Sequence, residues 1–208
     1  MGGQKMENEI KTSRQMQAEQ TKNKLLEVSL KLVRKEGYDQ VKITDICDEA
    51  GVSVGAFYHH FKNKEGIVVV AYQKCDDFFR DSIYPMFKDR EDIEVIYDYL
   101  DYQMNYGMVY GIDFATQIYK AQLTDGNEFF LNMDRGLPKG LTKLIEHLQE
   151  IGVLKNERKA LSISKEILIL SRGILYNWCQ SNGNYDPRKL CRRMVSNYIQ
   201  CYINEDGQ

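Results

Sequence analysis

The chain has 208 residues, 43% of them hydrophobic and 28% charged, with a formal net charge of −2. This is an ordinary balance for a globular protein of one large domain, or a large and a small one, with a substantial core. Bulk charge argues neither for nor against a polyanionic partner, no secretory signal is expected from the polar first twenty residues, and the opening Met-Gly-Gly fails the myristoylation pattern at Met6. The apolar run "EILILSRGILYNW" is short and interrupted by Arg172, so no membrane span or membrane partner is expected. Five cysteines, an odd number with no C-x-x-C pair, fit free thiols in a reducing cytoplasm better than a disulfide frame or a zinc site.

With three prolines (Pro85, Pro138, Pro187) and no alternating β-branched run, the chain reads as all-α. Residues 1–20 are polar and form an extension, either helical or disordered. From Thr21 an amphipathic helix begins, with Leu25, Leu26, Leu30, Leu32 and Val33 on one face and Gly37 as its C-cap. Thr44 is expected to cap a short helix from Asp45 to Ala50, with Ile46, Cys47 and Ala50 inward. Gly51 closes that helix and Ser53 caps the next, which runs to about His60. Asn63 caps a long helix through Val68, Val69, Tyr72 and Phe79 that ends before Pro85. Further helices are expected near 90–107, 112–123, 138–150, 157–181 and 187–203. The division is therefore an extension at 1–20, three short helices at 21–66 and a larger bundle at 67–208. Charge does not mark the boundary: residues 1–66 hold eleven basic and ten acidic side chains, residues 67–208 seventeen and twenty.

The stretch "ITDICDEAGVSVGAFYHHFKNKEGI" sets small residues (Gly51, Ser53, Gly55, Ala56) directly before Phe57, Tyr58, His59, His60 and Phe61. Two short helices joined at a glycine that tolerates positive φ are what a helix-turn-helix requires. A helix entering the major groove by its amino terminus needs small side chains there, and its free N–H groups favour nearby phosphate. Phe57 and Phe61, four apart, are expected to anchor the helix from behind, while Tyr58 and His59 face outward as donors. Metal binding by His59 and His60 is disfavoured, because adjacent helical positions diverge by about 100° and no i+4 partner exists. Cys47 reads as a small core residue, and Cys75, Cys179, Cys191 and Cys201 as filler rather than a redox switch. No catalytic constellation is visible, so no enzyme and no cofactor are expected.

At "GYDQVKITDICDEAGVSVGAFYHHFKNKEGI" the chain resembles the DNA-binding signature of the TetR family of bacterial transcriptional regulators. Gly37, Tyr38, Thr44, Ile46, Ala50, Gly51, Val52, Ser53, Gly55, Phe57, Tyr58, Phe61, Lys64 and Glu65 fall in place. Val54 and Ala56 depart from it, standing where many members carry polar residues, which favours contact with thymine methyl groups. The resemblance implies phosphate contacts from Thr44, Tyr58, His59 and Lys64 and base-edge contacts from Ser53, Val54, Gly55 and Ala56; the residues themselves add Lys42 and Lys62. Balanced charge then predicts a moderate salt dependence of DNA binding.

The resemblance further implies a helix-turn-helix domain at 21–66, and at 67–208 a helical domain for ligand binding and dimerisation. Its partners would be a near-palindromic double-stranded operator and a second copy of the chain. The aromatic, Met-rich middle segment suits an apolar or aromatic effector, with Tyr102, Tyr106, Phe114, Tyr119, Tyr176 and Trp178 as its lining. The last two helices form the homodimer face, through Ile163, Ile167, Ile174, Met194 and Tyr198. The expected function is a ligand-responsive repressor. The alternative is a helix-turn-helix regulator without a small-molecule ligand, gated by cysteine oxidation or a protein partner.

Overall fold

A computed structural model describes residues 13–123 and 127–204, and every described element is helical or a turn. An isolated antiparallel bridge between Leu154 and Ile203 ties the end of the chain to an interhelical loop. The expected all-α class therefore holds.

Helix α1 (Ser13–Glu36) starts eight residues before the expected Thr21, and the extension's first twelve residues lie outside the described ones. Leu25, Leu26, Ser29, Leu32 and Val33 form its buried stripe, at the spacing of one helical face. Helix α2 (Ile43–Ala50) starts two residues earlier than expected, so Thr44 lies inside its first turn and Lys42 takes the cap position. There the Lys42 N–H donates to the Asp45 carboxylate at 3.1 Å. Gly51 ends α2 at φ 65°, a left-handed conformation that a Cβ would strain. Ser53 then caps α3 (Val54–Phe61), its Oγ accepting the Ala56 N–H at 3.2 Å. Phe57 and Phe61 turn inward, with ring centroids 5.2 Å apart.

Helix α4 (Glu65–Phe78) does not stop before Pro85. A π-helical turn, Phe79–Ile83, carries it into α5 (Tyr84–Phe87), with Pro85 in the first turn of α5. Proline removes one backbone donor and crowds the preceding turn, and the wider π turn just upstream accommodates both effects. The helices α6 (Glu94–Val109), α7 (Gly111–Leu123), α8 (Asn127–Leu131), α9 (Gly136–Glu150), α10 (Ala160–Gln180) and α11 (Pro187–Ile199) complete the bundle. Gly111, at φ 84°, separates α6 from α7, whereas Gly107 stays helical.

Two hydrophobic cores result. The first joins α1–α3 to Ile67, Val68, Ala71 and Tyr72 of α4, and borrows Phe114, Ile118 and Phe130 from α7 and α8. The second begins at Cys75 and Phe79 and takes in α6, α9, α10 and α11. One continuous helix thus runs through both. At the crossing, Asp76 is buried and paired with buried Arg135 at 2.6 Å, and its other oxygen accepts the Leu137 N–H at 3.0 Å. Removing one partner of such a pair leaves an uncompensated buried charge. The substitution Asp76→Asn is expected to cost about 3–5 kcal/mol in chemical denaturation, and the double substitution with Arg135→Met to recover part of it.

Candidate nucleic-acid interface and effector cavity

On α2 and α3 the sequence-predicted contacts are outward. Lys42, Thr44, Ser53, Gly55, His59 and Lys62 are exposed, Val54 and Tyr58 are 41% and 50% exposed, and Ala56 is half-buried. Gly55 carries particular information, because a Cβ built there meets nothing nearer than Ser53 Oγ at 3.8 Å. Internal packing therefore does not require glycine at this position, and the exposed start of α3 stays free of side-chain bulk there. Tyr58 stands edge-on to Phe57, with centroids 5.8 Å apart, so the buried ring fixes where the exposed one projects.

Lys64 is placed differently from the others. Its Nζ donates to the Tyr38 carbonyl and lies 4.3 Å from the Tyr38 ring centroid, and burial holds its pKa below the ordinary lysine value. It ties the α3–α4 junction to the loop after α1, so a phosphate contact from Lys64 requires that tie to open. His59 and His60 pair edge-to-face at 5.1 Å, and no cluster of metal-ligating side chains occurs among the described residues.

The six candidate effector residues are not brought together. Tyr106 and Tyr119 line an apolar cavity with Tyr72, Cys75, Gln103, Ile118, Leu137, Arg172 and Leu175. Tyr102 packs outside it against Phe87 at 5.8 Å, and Phe114 is buried in the first core between Tyr38 and Tyr110. Tyr176 is half exposed behind Tyr119, and Trp178 is buried outside the cavity lining, near Gly183. The two lining tyrosines spend their hydroxyls on backbone: Tyr106 donates to Ala71 O at 2.7 Å and Tyr119 to Arg172 O at 2.8 Å. Their rings are therefore what the cavity sees. It leaves about 30 Å³ for a water-sized sphere to move in, far below the about 300–1,000 Å³ of ordinary ligand sites. Sequence reasoning missed the polar groups here, Arg172 and Gln103. The signal for the first was visible: a lone arginine inside the apolar run of α10.

The dimer candidates need correction. Ile163, Ile167 and Ile174 are buried within this chain's own core, at 0%, 0% and 4% exposure, and have no surface to offer a partner. Leu and Ile surround α10 on nearly every side, so hydrophobicity alone did not distinguish its inner face. Outward it presents Leu161, Ile169 and Tyr176, with Ile169 66% exposed. On α11, Met194 is exposed, while Tyr198 is half-buried and donates its hydroxyl to Glu166.

Burial raises the pKa of Cys47, Cys75 and Cys179, and that of Cys191 to about 12, which keeps these thiols protonated and poorly nucleophilic. Cys201 alone is exposed. Ellman's reagent is expected to label Cys201 promptly and Cys47, Cys75 and Cys191 only after denaturant is added; rapid native labelling of all five would restore a redox role.

Residues 25–71 match the sequence profile of "Bacterial regulatory proteins, tetR family". The HTH-type transcriptional regulator YerO of Bacillus subtilis is 35% identical over 72 residues, 35% of this chain and 24% of that protein. The match therefore spans about a quarter of that relative's length. The probable acrEF/envCD operon repressor of Escherichia coli K12 is 20% identical over 92% of this chain and 90% of its own. Among solved structures, Thermus thermophilus FadR, a TetR-family repressor in complex with lauroyl-CoA, superposes with a TM-score of 0.69 at 17% identity, covering 90% of this chain and 98% of that one. At that identity the likeness concerns the fold.

Proposed function

Because the chain belongs to the TetR family of bacterial regulatory proteins through residues 25–71, we propose that it is a DNA-binding transcriptional repressor released by a small molecule. The observation that carries this reading is the exposed start of α3, with spare room at Gly55 and two buried phenylalanines behind it. Residues 21–66 would bind DNA, and residues 67–208 would bind effector and dimerise. Lys42, Thr44, Tyr58, His59 and Lys62 would meet phosphates, and Ser53, Val54, Gly55 and Ala56 the base edges. Val54 and Ala56 carry no polar side-chain group, which favours thymine methyls over hydrogen-bonded readout.

Two copies of α3 are needed to span successive major grooves, about 34–36 Å apart. The outward apolar residues of α10, together with Met194 of α11, supply the face for that dimer. As a regulator of transcription it would work on DNA in the cytoplasm; among the described residues no helix is long and apolar enough to cross a membrane. No enzymatic activity is part of this reading. The effector of the Thermus protein is not carried over, since only the fold is shared at that distance. Gating by cysteine oxidation has no support from the buried, protonated thiols.

Genomic fragments selected on the purified protein should share a near-palindrome and compete against scrambled DNA in gel shifts; no preference would reject the reading. Gly55→Leu should leave the thermal midpoint near wild type and weaken operator binding about tenfold or more. Ile169→Glu, on an exposed position, should give folded monomers in sedimentation with operator binding lost; an intact dimer would move the interface elsewhere.

A further inference from the structure

The cavity between α4, α6, α7, α9 and α10 is apolar in its walls, and its lining includes Arg172, a cation that no carboxylate among the described residues pairs with. Arg172 sits half-buried in its lining, and the one hydrogen bond its guanidinium makes among the described residues goes to the Phe130 carbonyl, at 3.3 Å. Arg135 shares that same carbonyl, at 3.2 Å. The nearby carboxylate, Asp76, is already taken by Arg135 and by the Leu137 N–H. Among the described residues two guanidiniums therefore face one carboxylate, and Arg172 has no ion-pair partner. Burial is the main cause that lowers the Arg172 pKa; Tyr72 opposes it, and the neighbouring Arg135 adds to the lowering. A second polar group is also unsatisfied: Gln103 lines the cavity at 5% exposure, and its Oε1 has no hydrogen-bond partner.

A half-buried cation without a counter-ion and a buried acceptor without a donor are costly, and proteins keep such groups mostly where something else completes them. We propose that the effector is an organic acid whose carboxylate pairs with Arg172 and whose apolar body lies among the rings of Tyr72, Tyr106 and Tyr119. A donor on that body, an N–H or O–H, would reach Gln103 Oε1. The planar guanidinium suits a two-oxygen anion, and the water-poor walls strengthen the pairing. A cationic effector would meet repulsion, since no carboxylate among the described residues lines the cavity. This inference rests on the reading that the cavity takes an effector, and narrows it: the sequence suggested only an apolar or aromatic molecule, whereas the structure adds a negative charge at one end.

The test uses the full-length protein and three probes, decanoate, 4-phenylbutyrate and 1-naphthoate, each against its own primary amide. Calorimetry and thermal denaturation would be run beside a gel shift on the selected operator. At least one acid is expected to bind about tenfold tighter than its amide. Arg172→Met should bring that acid down to its amide's affinity, while Arg172→Lys, which keeps the charge, should retain a preference. Circular dichroism would establish that both variants are folded. Acids that respond no better than their amides, including no response from either, overturn the proposal, as does a preference that survives Arg172→Met. Amides that release operator as well as the acids sink the acid and leave the repressor reading standing. Acids held through Arg172 by a protein with no operator preference do the reverse.

Discussion

The structure depends on a helix that belongs to two cores at once. Ile67, Val68, Ala71 and Tyr72 close the core of α1–α3, and from Cys75 onward the same helix enters the core of the carboxy-terminal bundle. No loop separates the two, so the first core cannot move against the second without shifting or bending α4. Asp76 fixes the crossing point: it anchors Arg135 and the start of α9, where the Gly136 backbone lies so close that a Cβ would overlap the Asp76 carbonyl. Buried ion pairs contribute little net stability against an apolar substitute, but they impose geometry. Here the imposed geometry is the register of α4 against α9.

The same pair explains why the cavity is electrostatically unfinished. Arg135 is held by Asp76 and lies 5.1–5.9 Å from the rings of Tyr72, Phe129 and Phe130, positions that favour a cation. Arg172, on α10, donates to the same Phe130 carbonyl and pairs with no carboxylate among the described residues. Filling the site with leucine would be simpler in terms of stability. In the proposed complex the opposite sign would come from the effector's carboxylate.

The sequence showed these features unevenly, for local reasons. The turn at Gly51, the Ser53 cap and the inward phase of Phe57 and Phe61 depend on neighbours within a few residues, and the chain states them directly. Thr44 misled because the preceding turn is closed by the Lys42 backbone and Asp45, not by a hydroxyl. The long helix through Pro85 was hidden because a π turn leaves no compositional mark. In α10 apolar residues surround the helix, so which isoleucines face inward was settled by packing across the bundle: Ile163, Ile167 and Ile174 in, Ile169 out. The tyrosines of α6 and α7 share a helical period but serve different ends. Tyr99 is wholly buried and donates to Leu137 O, Tyr102 stands outside, and Tyr106 alone of the three reaches the cavity. The most informative residue was Arg172, which broke an apolar run and thereby marked the place where α10 is not simply core.

The small size of the cavity bears directly on how a signal could travel. With about 30 Å³ open to the centre of a water-sized sphere, a drug-sized molecule enters only by displacing a wall. Arg172 and Leu175 come from a long helix packed against α9 and α11, whereas Tyr72 and Cys75 come from α4 at the crossing of the two cores. Tyr106 links the cavity to that crossing, since its hydroxyl bonds to the Ala71 carbonyl inside α4. An occupant that spreads Tyr106 from Tyr72 therefore strains α4 itself, and α4 carries the first core with it. If the proposed effector fills the cavity, its preference for the filled over the closed state would set how far DNA affinity falls, about tenfold for each 1.4 kcal/mol. A half-buried cation that gained its counter-ion only in the filled state would be a physical source of that preference, because apolar contacts are available to both states in part and the ion pair to one.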